Sequence, residues 1–226
     1  EGGRYEKDLT QRIKLFELAV KNGADYLDVE FVEWKQSSEL RQKISELCGL
    51  YDSSRPAGKL ILSMHDFNQT PLDLDSLFND LLGEPCHVAK VACKARKITD
   101  SLRMIAALKK ALSVRPGIGL CMGETGILTR VLARKFGAFL TFASLKAGRE
   151  SAPGQLSIEQ MRSLYRWDHL NANTQVYGVI GCPVAHSMSP AIHNAAFDAT
   201  DYDGVYLPMR VEHEYESFVE FIDACR

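Results

Sequence analysis

The sequence predicts an α/β protein whose core is a parallel β-sheet. Apolar runs of strand length alternate with segments in which apolar residues recur at helical spacing, and the turns between them are short. This alternation is typical of parallel strands joined by right-handed helical crossovers. Five such units precede residue 166. They fit either a doubly wound sheet or part of a (β/α)8 barrel, since only a closed barrel needs eight.

The first unit begins with a helix over residues 8–22. Leu9, Ile13 and Phe16 share one face of this helix, and Gly23 follows as a natural stop. The predicted strands are rich in apolar and β-branched residues and cover residues 26–31, 59–65, 87–93, 117–123 and 138–144. The other helices of this part are predicted near residues 38–47, 72–82, 99–114, 125–135 and 157–165.

A second, smaller unit is predicted toward the end of the chain. Residues 167–175 are polar and lack a period, so they are interpreted as a linker between a first domain, 1–166, and a second, 176–226. Strands are predicted at 176–181 and 204–209, each followed by a helix. A single βαβα unit of this size offers little core of its own.

The composition is that of an ordinary globular protein. Hydrophobic residues make up 46% and charged residues 25% of the 226 residues, and the net charge is −2. No basic field is therefore available for nucleic acid or an anionic membrane, and no apolar run approaches the roughly 20 residues that cross a bilayer. Residue 1 is glutamate, without a preceding methionine, so the start is expected to be a cut end. The six cysteines lack paired spacing and are expected to be free, mostly buried thiols.

Lys90 stands in the middle of the apolar run 87–93. An ammonium group enclosed there must reach water, pair with a carboxylate or lose its proton. The neutral amine is a nucleophile toward ketones, whereas an ion pair with Asp28 or Glu30 is the structural alternative. His65 ends the neighbouring predicted strand, and an imidazole base beside an amine nucleophile is the arrangement of Schiff-base catalysis.

Three polar side chains near later strand ends are candidates for substrate binding. Arg130 carries a guanidinium fork suited to planar anions such as carboxylates, and a solvated helix position is its structural alternative. Ser151 and Gln155 offer a hydroxyl and an amide suited to a polyol. The stretch 123–126 is too short and irregular for a phosphate-binding loop.

Four motifs, SMHDF, AKVA, CMGETGILTR and SAPGQ, resemble in their order and spacing those of type I 3-dehydroquinate dehydratases. The later VIGCPVAHSMSPAIHNAAF resembles the opening of shikimate dehydrogenases. A fusion of the two is typical of the bifunctional plant enzyme of the shikimate pathway. The resemblance implies the last five strands of a (β/α)8 TIM barrel, followed by the first βαβα unit of a shikimate dehydrogenase substrate domain.

The resemblance also implies a mechanism. Lys90 would form an imine with the ring ketone of 3-dehydroquinate, and His65 would remove the adjacent proton and then help to expel a hydroxyl as water. Glu1, in the segment EGG, would support the histidine. The product would be 3-dehydroshikimate, formed without a metal or cofactor.

The same resemblance also implies which residues of this sequence contact the substrates. Those in the dehydratase domain fall on Arg130, Ser151 and Gln155, with apolar walls from Phe67, Met122 and Phe142. In the second domain Ser187 and Ser189 would bind the shikimate carboxylate, and a helix cap at Ser189 is the structural alternative. Small-molecule substrates are thus the expected partners, with neither nucleic acid nor membrane.

The resemblance implies a longer parent protein. The opening barrel strands are absent from this sequence, as is the domain that would bind NADP(H) to reduce 3-dehydroshikimate to shikimate, and no GxGxxG motif occurs. The chain is therefore expected to be truncated at both ends and inactive alone, and the plant-type fusion implies a plastid location. Two other hypotheses remain at this stage: a class I aldolase-like Schiff-base enzyme, and a non-catalytic ligand-binding relative.

Overall fold

A parallel four-stranded sheet forms the centre of the first part of the chain. The computed structural model describes residues 8–51, 58–152 and 154–226. The sheet order is β1-β2-β3-β4, and each strand pairs with the next along the chain, as right-handed βα units require. All carboxyl strand ends therefore lie at one edge. The strands are β1 (Tyr26–Glu30), β2 (Lys59–Asp66), β3 (Val88–Lys94) and β4 (Gly117–Met122).

Helices connect these strands. The Asp8 side chain caps the first of them by accepting a hydrogen bond from the Gln11 amide at 2.8 Å. Gly23 follows with a φ of 86°, which lets the chain turn sharply into β1. A helix that directly follows β1 was not predicted, because six residues are too few to display a helical period. The helices are α1 (Leu9–Lys21), α2 (Phe31–Gln36), α3 (Ser38–Leu47), α4 (Leu74–Leu82), α5 (Ile98–Ala111) and α6 (Ile127–Val131).

The alternation of side chains along each strand divides the sheet into two faces. Ala89, Val91 and Cys93 of β3 share the main core with residues of α4 and α5. Val88 and Ala92 point the other way, into a smaller apolar cluster with residues of β4. Both faces of β3 are therefore buried, as its continuous apolar run predicts.

Residues 138–144 do not form the predicted fifth strand. The Phe139 amide donates to the Gly117 carbonyl at 2.8 Å, as an adjoining strand would. The chain then leaves β4: the Phe142 carbonyl accepts a hydrogen bond from Arg130 at 3.3 Å, and Ser144 forms an isolated bridge with another segment. These alternative partners satisfy backbone groups that a strand would have paired with β4.

Two predicted helices are shorter than expected. The segment near 125–135 forms a 3-10 turn, Glu124–Gly126, followed by α6, and its last residues make turns that end at Gly137. Gly137 has a φ of 77°, which only glycine adopts readily, so the helix cannot continue through it. The segment near 157–165 ends in a π-helical turn, Gln160–Leu164.

The second unit packs against the first. Its strands pair in parallel, and the buried Asn194 side chain ties the intervening helix to the sheet through two 2.8 Å hydrogen bonds with the Tyr206 backbone. Val205, Leu207 and Phe221 share one apolar cluster with residues of α5 and α6. The second unit, which has little core of its own, thus completes its core by packing against the first part of the chain. Its elements are β5 (Gln175–Gly181), α7 (Ser189–Ala199), β6 (Gly204–Arg210) and α8 (Tyr215–Cys225).

The connection between the units is itself ordered. Trp167–His169 form a 3-10 turn, and Leu170 is 2% exposed within the cluster that the two units share. The Thr174 hydroxyl accepts a hydrogen bond from the Asn171 amide at 2.9 Å. The polar composition of this segment therefore accompanies a packed turn rather than a free tether.

All six cysteines are free thiols, and four of them are buried. Burial raises the pKa of Cys48, Cys93 and Cys121 to about 12, which removes these thiols from nucleophilic chemistry at neutral pH. Within the described ranges, no helix has the length and apolarity needed to cross a bilayer.

Candidate active site

Lys90 lies on the face of β3 that points away from α4 and α5. Its neighbours Ala89 and Val91 enter the main core, so strand alternation turns the lysine to the other side. The residue is 7% exposed. Its Nζ donates to Asp28 Oδ2 at 2.6 Å and lies 4.8 Å from the centroid of the Phe142 ring. The ion pair considered for this lysine is thus present, and it leaves the amine at the wall of a cleft.

His65 lies on the neighbouring strand, as predicted. Ser63 is the register partner of Lys90, so His65 is one pleat further toward the carboxyl end on the same face. Strand geometry places the Cα atoms of His65 and Lys90 roughly 8 Å apart. The His65 Nδ1 contacts Glu30 Oε1, and its ring stacks on Phe67 with centroids 5.7 Å apart. With Nδ1 engaged by a carboxylate, Nε2 is the ring nitrogen left for a substrate.

Arg130 is the most deeply buried charged side chain of the site. It is 1% exposed, and within the described ranges its one hydrogen bond runs from Nη1 to the Phe142 carbonyl at 3.3 Å. Its Nε is buried and has no hydrogen-bond partner among the same residues. Burial lowers the pKa of the guanidinium, but a group with so high a reference value stays charged. A buried cation with unused donors is a site for an anion.

The loop that carries Ser151 and Gln155 is closed on itself. Both the amide and the hydroxyl of Ser151 donate to Gln155 Oε1, at 2.8 and 3.1 Å. With its oxygen occupied, Gln155 keeps its Nε2 donors for a ligand. The loop also rests on the end of β4, because a Cβ at Gly154 would come within 2.3 Å of the Gly123 carbonyl oxygen. Glycine is required there by this close approach and by a φ of 72°.

These groups surround one cleft of about 290 Å³ at the carboxyl edge of the sheet. In parallel α/β proteins this edge is where ligands bind. The apolar side chains that line the cleft differ in burial, since Met122 is buried whereas Phe67 and Phe142 are partly exposed. The cleft brings together every predicted dehydratase residue that the structure describes, namely His65, Phe67, Lys90, Met122, Arg130, Phe142, Ser151 and Gln155.

Glu1, expected to support the histidine, lies outside the described residues. In the described part of the chain, Glu30 makes that contact. The sequence raised Asp28 and Glu30 only as partners for Lys90. The signal that could have separated them is their spacing of two in β1, which puts both carboxylates on the face of the sheet that carries Lys90 and His65.

A family model described as Type I 3-dehydroquinase matches residues 1–172. The chain belongs to this family. Type I 3-dehydroquinases also account for the fold: a type I 3-dehydroquinate dehydratase from Clostridium difficile superposes with a TM-score of 0.60 at 26% identity, covering 72% of this chain and 63% of that one. The α/β class and parallel sheet are therefore confirmed, while the four strands of the described sheet do not close a barrel.

Similar proteins match one or both units of the chain. The bifunctional 3-dehydroquinate dehydratase/shikimate dehydrogenase of Arabidopsis thaliana, described as chloroplastic, is 39% identical over 99% of this chain and 35% of its own length. A 3-dehydroquinate dehydratase of Methanococcus maripaludis is 35% identical over 73% of this chain and 71% of its own length. The chain thus spans about a third of the plant relative. The fold is shared with the dehydroquinate dehydratase and shikimate dehydrogenase of S. pombe, at a TM-score of 0.57 over 98% of this chain and 40% of that one and 22% identity.

A second family model, the shikimate dehydrogenase substrate binding domain, matches residues 179–226. Ser187 lies in the loop before α7, and its hydroxyl accepts a hydrogen bond from the Ser189 amide at 3.3 Å. The helix considered to start at Ser189-Pro190 does start there, but Ser189 is its first residue and Met188, which already has helical φ and ψ, occupies the cap position. Neither serine lines the cleft around Lys90, so the structure separates the two predicted substrate sites.

Proposed function

We propose that this chain carries the dehydratase chemistry of a shikimate-pathway enzyme and converts 3-dehydroquinate to 3-dehydroshikimate through an imine on Lys90. One observation carries the proposal: the Lys90 amine, the His65 imidazole and the Arg130 guanidinium, whose Nε has no hydrogen-bond partner among the described residues, line the same cleft. A nucleophile, a base and an anion site are the three groups that this reaction on a keto acid needs. Membership of the type I 3-dehydroquinase family supplies the substrate class.

The first step needs an uncharged amine. Asp28 Oδ2, at 2.6 Å, is positioned to accept the Lys90 proton. The amine then adds to the ring ketone, and the ketone oxygen leaves as water. The cationic iminium that remains draws electrons from the neighbouring C–H bond, and the Phe142 ring, now 4.8 Å from Nζ, presents its face to a cation at this position.

His65 performs the proton transfers. Its Nε2 removes the proton next to the iminium, and the released electron pair forms an enamine. Glu30, in contact with Nδ1, stabilises the imidazolium that results. The enamine then expels the ring hydroxyl, which leaves as water with the proton returned by His65. Hydrolysis of the imine consumes the water released at the first step, so the net change is the loss of one water.

The proposal predicts an adduct that borohydride can trap. Reduction in the presence of 3-dehydroquinate should attach the substrate carbon skeleton to Lys90, as found by peptide mass mapping of the full-length protein. An adduct formed only with a different carbonyl compound would favour an aldolase-like Schiff-base enzyme. No adduct with any carbonyl compound would point to a non-catalytic binding protein, and either result would overturn the proposal.

Replacing Arg130 with methionine should raise the KM for 3-dehydroquinate by roughly 10- to 100-fold, the effect of losing a hydrogen-bonded charge. The kcat should change by less, because a carboxylate remote from the reacting bond is held equally in the ground and transition states. Arg130→Lys keeps the charge without the fork and should give an intermediate KM. A folded Arg130→Met protein with an unchanged KM would exclude carboxylate binding at this residue. Steady-state kinetics of the three proteins make the comparison.

We further propose that residues 176–226 belong to the substrate domain of a shikimate dehydrogenase, joined at 167–175 to the dehydratase domain 1–166. Ser187 and Ser189 would bind the carboxylate of shikimate or 3-dehydroshikimate. The parent dehydrogenase would use NADP(H), but the residues of this chain do not fit that cofactor, since no GxGxxG motif occurs. The chloroplastic Arabidopsis relative supports a plastid location.

A further inference from the structure

An ion pair joins the second unit to the turn that ends β4. Arg210, the last residue of β6, donates from Nη1 to Glu124 Oε2 at 2.8 Å. Its Nη2 lies 3.1 Å from Glu212 Oε1 on its own unit. The arginine is thus held by Glu212 of its own unit and pairs with Glu124 of the first unit. Both partners of the pair are partly exposed, at 37% and 40%.

The turn held by this ion pair supports the substrate loop. Glu124 directly follows Gly123, and the carbonyl of Gly123 is the atom on which Gly154 rests. The same loop carries Ser151 and Gln155 into the cleft. A shift of the turn toward the loop would therefore displace these polar side chains, because the backbones of Gly123 and Gly154 are already in close contact.

We propose that Arg210 is a positioning residue for the dehydratase site, which it reaches from the second unit through Glu124 and the loop that carries Ser151 and Gln155. The inference rests on the dehydratase function proposed above. It makes substrate binding at one unit depend on a side chain of the other. Lys90 and His65 are carried by β3 and β2 rather than by this turn, so the chemical step is expected to be independent of Arg210.

The test is the kinetics of the full-length protein with 3-dehydroquinate. Arg210→Ala should raise KM about two- to fivefold, the effect expected of a partly exposed ion pair, and leave kcat and the borohydride adduct on Lys90 unchanged. Glu124→Gln, on the dehydratase side of the pair, should raise KM equally. The double variant should be no worse than either single variant, because both remove one interaction. Arg210→Lys should restore most of the affinity.

A second ion pair between the units provides the control. Lys97 Nζ lies 2.8 Å from Glu220 Oε2, and this pair is also exposed, but it joins α8 to the start of α5 rather than to the turn. Glu220→Gln should leave KM unchanged while thermal unfolding reports any loosening of the units. Equal rises in KM for Glu220→Gln and Arg210→Ala, or no rise for Arg210→Ala, would overturn the positioning role. A wild-type protein without turnover or adduct would instead overturn the dehydratase function itself.

Discussion

Replacing Lys90 with methionine should abolish the turnover of 3-dehydroquinate, with a loss in kcat on the order of 10⁶-fold, the scale seen when a covalent nucleophile is removed. Methionine matches the length and apolar stem of lysine, so the cleft should keep its shape. Without Nζ no imine forms, and the C–H bond next to the ketone loses its electron sink. Borohydride should then trap no adduct, although substrate binding, measured calorimetrically, should persist.

Lys94 offers a matched control for this experiment. It lies four residues further along β3 and therefore on the same face as Lys90, but it does not line the cleft. Lys94→Met should retain kcat within a few-fold of the wild type and should still give the adduct on Lys90. Substantial turnover by a folded Lys90→Met protein would show that the reaction proceeds without an imine on this amine.

The sheet could be predicted from the sequence because buried parallel strands leave a plain pattern. The run 87–93 is apolar apart from His87 and Lys90, and the structure buries both faces of β3. The same criterion failed at 138–144, where composition matches a strand but the backbone finds other partners in Arg130 and Ser157. An apolar sequence segment indicates that its residues are buried, but it does not indicate which groups its backbone will hydrogen-bond to.

The relative position of the two central side chains of the site could also be predicted. His65 and Lys90 lie in consecutive strands, and consecutive strands of such a sheet are neighbours, so the two residues were expected on adjacent strands. The partners of these two residues depend on β1, whose register no local pattern sets. Asp28 and Glu30 both lie on the face of the sheet that carries Lys90 and His65. In the structure Asp28 accepts a hydrogen bond from the Lys90 amine, and Glu30 contacts the His65 imidazole. In the proposed mechanism, this division assigns the Lys90 proton to Asp28 and the stabilisation of the imidazolium to Glu30.

The contact of Arg210 with Glu124 could not be predicted from the sequence, for a different reason. It is separated from Glu124 by 86 residues and belongs to a different unit. An ion pair of this kind depends on how two units dock, and the docking surface is the apolar cluster that both complete together. Patterns within one unit describe its own core, so they carry no information about a contact made across the junction.

Replacing His65 with alanine should separate imine formation from proton transfer. We expect kcat to fall by about 10²- to 10⁴-fold, the usual contribution of a positioned general base. The borohydride adduct on Lys90 should still form, because the amine, the Asp28 carboxylate and the Arg130 anion site remain in place. Under single-turnover conditions the adduct should therefore accumulate as unconverted substrate, with its hydroxyl retained in the mass of the labelled peptide.

Two further variants make this result specific. His169 is exposed in the connection between the units and away from the cleft, so His169→Ala should leave both adduct and turnover unchanged. Glu30→Gln keeps a hydrogen-bonding group against Nδ1 but removes its charge, so it should lower kcat by less than the loss of the imidazole does. If His65→Ala instead reduced the rate of adduct formation as much as turnover, the imidazole would act in building the imine. The assignment of the proton abstraction to Nε2 would then be wrong.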